Sequence, residues 1–290
     1  MNSTLYAYLD IRNPLVAWEV AIGRVRSVSD VTRESFGVST WTYSLLKKYA
    51  TEGLDRRFIN ELMLESVRQS LRAPECSRLS DLYFFCSESD AYAALERWGL
   101  NNYRSFVSAV NFSSSQLTKV DSEWITSYLQ SENTDWMPAY WQGKTLGVKP
   151  LTEVLARGIG KVMSKELRHR AYESIIQRWP TSTPLLGMAC CAFAEHGLED
   201  IALVRPAIVE SDGKIKGSYF IDIRDLDLHQ KKIISALDAC KERGEIPLMI
   251  VPDDENSFFR FPDFSNMAFT FNNKSAAAKL KSVHSRAADA

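Results

Sequence analysis

The sequence reads as an α+β protein: a core over residues 1–163, a smaller C-terminal α/β unit over 164–272, and a disordered tail over 273–290. Three observations predict this. Short alternating apolar and polar stretches lie between amphipathic helical stretches throughout the first part. A charged amphipathic helix and the turn cluster Pro180–Pro184 then mark a change of character. Beyond it, helical and strand-type stretches alternate until an Ala/Lys/Ser-rich end.

In chain order, residues 4–11 (TLYAYLDI) alternate as a strand that Asn13-Pro14 stops. Residues 14–22 form a short helix with Pro14 in its first turn and Gly23 at its end. A looser Ser/Thr-rich stretch leads to a helical region from Tyr43 to Leu71, broken by Pro74, with Phe58, Leu62, Leu64, Val67 and Leu71 near one face and charges on the other. Arg78–Cys86 (RLSDLYFFC) is a short aromatic strand, its Phe84 and Phe85 assigned to the core; Ser87 caps a helix over 91–98. A strand over 104–112, a helix over 122–130, and the loop SENTDWMPAYWQGKTLGVKP follow. Residues 151–163 read as two strand pieces joined at Gly158–Gly160. In the second unit we expect a helix over 165–179, then helix 185–196, strand 201–209, a turn at 211–213, strand 216–223, helix 228–242 and strand 246–251.

With 290 residues, 45% hydrophobic content and a net charge of -1, the sequence is that of an ordinary globular protein without a global field for polyanions. No apolar run approaches the ~20 residues needed to span a bilayer, and the start lacks the pattern of a signal peptide, so a cytoplasmic location without membrane contact is expected. Five irregularly spaced cysteines, no CxxC and four scattered histidines predict reduced thiols and no metal site. P-loop, HExxH, GxSxG and dinucleotide-fingerprint motifs are absent.

Three segments carry a resemblance. LYAYLDIRNP, then PECSRLSDLYFF before a helix, then AYWQGKTLGVKPLTEVLARGIGKV are similar in order and type to bacterial and phage ADP-ribosyltransferase-like families, over residues 1–163. The resemblance implies a split antiparallel β-sheet core whose cleft holds NAD as substrate, with no metal. It implies Glu153 as the catalytic carboxylate, stabilising the oxocarbenium-like centre that forms as the nicotinamide–ribose bond breaks. On the residues alone, Glu153 would be a strand carboxylate facing water.

On the cofactor side, Arg78 is a candidate for the pyrophosphate, flanked by Ser77 and Ser80, and is otherwise a structural arginine. Tyr140 and Trp141 line the nicotinamide or acceptor side, or anchor their loop. The families carry an Arg or His on the first strand, where this sequence has Ala7; Tyr8, Arg12 or Arg24 would have to substitute. The run Lys161, Lys165, Arg168, His169 and Arg170 reads as a solvated face balanced by Glu166 and Glu173, or as a nucleic-acid contact. Asp222, Arg224, Asp225 and Asp227, and Asp253, Asp254 and Glu255, read as turn and capping residues.

The resulting expectation is a mono-ADP-ribosyltransferase acting on a macromolecular acceptor, protein or nucleic acid, of a kind that in bacteria and phages includes toxins with antitoxin partners and anti-phage or host-modifying effectors. The alternatives are an inactive interaction module of the same fold, supported by Ala7, and a NAD glycohydrolase.

Overall fold

The computed structural model describes residues 2–28, 35–53, 56–71, 76–244, 260–272, 274, 276–278 and 280. The chain runs β1 (Asn2–Tyr8), α1 (Pro14–Ile22), β2 (Arg24–Arg26), β3 (Ser35–Gly37), α2 (Thr40–Glu52), α3 (Arg56–Leu71), β4 (Leu82–Phe84), α4 (Glu88–Arg97), β5 (Val107–Asp121), α5 (Glu123–Tyr128), α6 (Met137–Trp141), β6 (Thr152–Val162), α7 (Lys165–Arg178), α8 (Thr183–His196), β7 (Val204–Ser211), β8 (Lys214–Ile221), α9 (Gln230–Glu242) and β9 (Phe269–Asn272). It is a mixed α+β fold with antiparallel sheets.

The first sheet has the order β1-β5-β6-β2, with β4 beside β2 on the same edge of β6. It curls on itself: Tyr6 and Phe85 exchange backbone hydrogen bonds of 2.9 and 2.8 Å, so β1 also touches the end of β4. The curl comes from a bulge between Ser114 and Gln116 of β5, facing Gly158 of β6. Gly158 has φ +143°, and a Cβ there would sit 2.1 Å from the Ser113 carbonyl oxygen, so only glycine fits. The inner face of the curl, with Ala7, Phe84, Phe112 and Val154, joins the central apolar cluster.

The second sheet is β3-β7-β8-β9. Its β7–β8 hairpin turns at Asp212-Gly213, both with positive φ. Its edge strand β3 comes from the N-terminal part of the chain, and Trp18 of α1 donates through Nε1 to the Ala202 carbonyl at 2.8 Å. α1 is apolar on nearly every side because it is enclosed by α7, α8 and the two sheets. Residues on both sides of position 163 thus share one core.

Several elements differ from the sequence reading, for physical reasons. The helical region over 43–71 is two helices, because Gly53 at φ +96° ends α2. The strand over 104–112 starts later and continues to Asp121 through the serine-rich stretch, where Ser114, Gln116 and Thr118 hold the inward positions and no apolar alternation marks the strand. Residues 78–80 form a turn, leaving β4 only three residues. The tail stretch begins in order: Ala276, Ala277 and Leu280 are buried in the central cluster, their spacing giving one apolar face. The expected strand 246–251, Pro74 and the acidic group Asp253, Asp254 and Glu255 lie outside the described residues.

Candidate functional site: a buried arginine–carboxylate cluster

Glu153 is the second residue of β6. Adjacent strand residues face opposite ways, so with Val154 turned into the central core, Glu153 and Leu155 face α3 and α6. There Glu153 meets Arg78, supplied by the tight turn before β4. The Arg78 guanidinium grips Glu61 of α3 with two bonds, Nε to Oε2 at 3.0 Å and Nη2 to Oε1 at 2.9 Å. Its Nη1 donates to the Tyr140 hydroxyl at 2.9 Å and to Glu153 Oε2 at 3.4 Å. Tyr83 on β4 donates its hydroxyl to the Arg78 carbonyl, and both tyrosine rings flank the guanidinium at 5.3 and 5.7 Å.

The cluster is sealed: Arg78 is 5% exposed and Glu153 6%. Burial raises the Glu153 carboxyl to about 7; the Arg78 charge pulls it back and the Glu61 charge adds to the rise. Burial likewise raises the Tyr140 and Tyr83 hydroxyls, so both stay protonated. Burial opposes the charge on Arg78, but the Glu61 carboxylate and the Tyr140 and Tyr83 hydroxyls together outweigh it and keep the guanidinium charged.

Ser77 starts a second buried network. Its Oγ donates to Glu65 at 2.8 Å and its N–H to Asp81 at 2.7 Å. Asp81, fully buried, holds Arg157 through two bonds of 3.0 Å, while Glu65 pairs with Arg68 at 2.6 Å. Ser80 contributes its carbonyl to the Val28 N–H at 3.3 Å.

Of the seven residues singled out from the sequence, the structure joins Glu153, Arg78 and Tyr140 directly, with Ser77 next in chain to Arg78. Trp141 points elsewhere, its Nε1 tied to the Leu64 carbonyl at 2.8 Å. Tyr8 belongs to a different surface: it stacks on Phe106 and accepts from Arg12 at 3.4 Å, and Arg12 is clamped by Asp10. Ala7 lies in the central core, on the face of the sheet away from Glu153. Arg24 is wholly buried, bonded to Glu19 and to the carbonyls of Glu199 and Ile201. The basic run does not form one face: Arg168 folds back over Gly23, Arg170 covers Phe106, and His169 pairs with Glu173. Asp222 holds Arg205 and Arg224.

Sequence reasoning missed Glu61, Glu65 and Asp81. The signal for the first two was their i,i+4 spacing beside Leu62 and Leu64: charges there fall toward the apolar stripe, not opposite it.

Among the described residues no group of three or more His, Cys, Asp or Glu side chains could hold a metal ion, and no helix is long and apolar enough to cross a membrane. No family model, curated protein or solved structure matches this chain.

Proposed function

We propose that the chain is a non-enzymatic interaction module on an ADP-ribosyltransferase-like core, in which the residues at the NAD-site positions have become structural. The observation that carries this reading is the enclosure of Glu153. A carboxylate that stabilises an oxocarbenium must be ionised and must face the ribose. Glu153 faces Arg78 and Tyr140 instead, and burial holds it near half-protonated at neutral pH. The remaining positions fit NAD no better. Arg78 spends its donors on Glu61, Tyr140 and Glu153, and Ala7 stands on the opposite face of the sheet. Large apolar side chains are exposed at Phe220, Ile223, Leu228 and Ile234, and they supply contact chemistry for a protein partner, an antitoxin-like one included.

One observation favours the transferase instead: Arg78 from the second segment of the resemblance meets Tyr140 and Glu153 from the third at hydrogen-bond distance. For that reading α6 must move away from Arg78 to admit the nicotinamide end of NAD. The experiment is transfer of labelled ADP-ribose from NAD in lysate, with nuclease- and protease-treated arms, comparing wild type with Glu153→Ala. The module reading expects no label and no released nicotinamide from either protein. Label that disappears in the variant overturns it and, through its nuclease or protease sensitivity, names the acceptor class.

A further inference from the structure

Helices α8 and α9 together carry three of the five cysteines, and two of them face each other. Cys191 of α8 packs against Ala236 and Cys240 of α9, with Leu237 beside them, in a small cluster apart from the main core. Side chains this small let two helix axes approach closely. A disulfide requires that approach, since its Cα atoms stand about 4.4–6.8 Å apart.

The two thiols are in contact, and their surroundings are unequal. Cys191 and Cys240 share a side-chain hydrogen bond. Burial and that bond raise the Cys191 thiol, so Cys191 keeps its proton and is the donor. Arg243, which follows α9, donates from Nη2 to the Cys240 sulfur at 3.5 Å and to Glu195 of α8 at 2.5 Å. Two donors thus converge on one sulfur, the arrangement that stabilises charge on an attacking thiolate. Cys190, next in chain, stands outside the pair: its thiol donates to the Ala21 carbonyl at 3.4 Å. Cys240 is only 3% exposed, but it lies in the last turn of α9, and helix ends fray.

We propose that Cys191 and Cys240 form a reversible disulfide that fastens α9 to α8 when the protein meets a hydroperoxide. First the Cys240 sulfur attacks a peroxide oxygen: an S–O bond forms, the O–O bond breaks, and the departing oxygen takes the Cys240 proton. The Cys191 sulfur then attacks the Cys240 sulfur: the S–S bond forms, the S–O bond breaks, and the hydroxyl leaves with the Cys191 proton as water. Two thiols are oxidised, one hydroperoxide is reduced, and a dithiol reverses the change. Ile234 is exposed on α9, so the bond fixes one of the residues assigned above to partner contact. The disulfide itself depends neither on that assignment nor on the reading of Glu153.

The test treats the folded full chain with hydrogen peroxide, blocks the remaining thiols with N-ethylmaleimide, and maps peptides by fragmentation that separates Cys190 from Cys191. A peptide linked through Cys191 and Cys240 should appear, and dithiothreitol should remove it. The oxidised protein should melt several degrees above the reduced one, as a cross-link closing a long loop predicts. Cys190→Ala should keep the bridge, while Cys191→Ala and Cys240→Ala should lose it. Arg243→Ala should slow its formation severalfold, and Arg243→Lys should restore most of the rate. Oxidation confined to Cys86, the exposed thiol, would overturn the proposal. So would a bridge through Cys190, or one that forms only once urea has unfolded the chain.

Discussion

At Arg78 one guanidinium is set against two buried carboxylates and the buried Tyr140 phenol, with half-buried Tyr83 bonded to the Arg78 carbonyl. Removing the only cation in such a cluster leaves buried charge without compensation, which costs about 3–5 kcal/mol. Arg78→Leu should therefore lower the urea midpoint by that amount of stability with an unchanged m-value, and adding Glu61→Gln should recover part of it. Glu153 behaves oppositely. Its folded-state pKa of about 7 lies above the ~4.3 of an unfolded chain, so the native state binds the proton more tightly. That contribution is full below about pH 4, declines as pH rises through 7, and is gone above it. Glu153→Gln cannot ionise and keeps its shape. It should flatten this pH dependence and, at pH 8, equal or exceed wild type by about 2 kcal/mol in chemical denaturation. Gly158→Ala places a Cβ on the Ser113 carbonyl and should cost about 2–4 kcal/mol.

At the level of elements, the bounds of α1 were readable: Pro14 begins it and Gly23 closes it, and Asn13, read only as the end of the first strand, also caps it by accepting from the Leu15 N–H at 3.0 Å. Ser87 likewise caps α4, accepting from the Asp90 N–H. These signals are local, so the sequence carries them openly. α3 shows what it does not carry. Its Glu61 and Glu65 belong to the buried side because Arg78, Arg68 and Ser77 satisfy them, and those partnerships depend on tertiary contacts that periodicity does not encode. The full length of β5 was hidden for the opposite reason: Ser113, Ser115 and Lys119 face outward while Ser114, Gln116 and Thr118 face inward, and a stretch polar on both sides reads as loop. The candidate site was half legible. Glu153, Arg78 and Tyr140 were found through the resemblance, but their burial was not, since no window of sequence around β6 announces which helix will cover it. The helical residues after β9 matter to stability at this scale. Leu280→Ala should cost about 2–4 kcal/mol, measured by thermal or urea unfolding, because it empties a site only 2% exposed.

Over the whole molecule, the curled first sheet and the β3-β7-β8-β9 sheet enclose one apolar cluster drawn from both ends of the chain. Trp18 and Arg24 spend their polar groups on carbonyls of residues 199–202, and Glu19 accepts from the Val204 N–H at 2.8 Å. A fragment ending at residue 163 would leave these groups and the surface of α1 uncovered. It should fail to fold, while the full chain unfolds in a single calorimetric transition; a folded fragment with dispersed amide resonances would contradict this. The central claim, that Glu153 is a sealed structural carboxylate, is tested most directly by following its carboxyl carbon by NMR against pH, with Glu153→Gln assigning the signal. The account predicts a midpoint near 7 that saturating NAD leaves in place. A midpoint of about 4–5, the range of a carboxylate open to water, or a midpoint that moves when NAD is added, would contradict it.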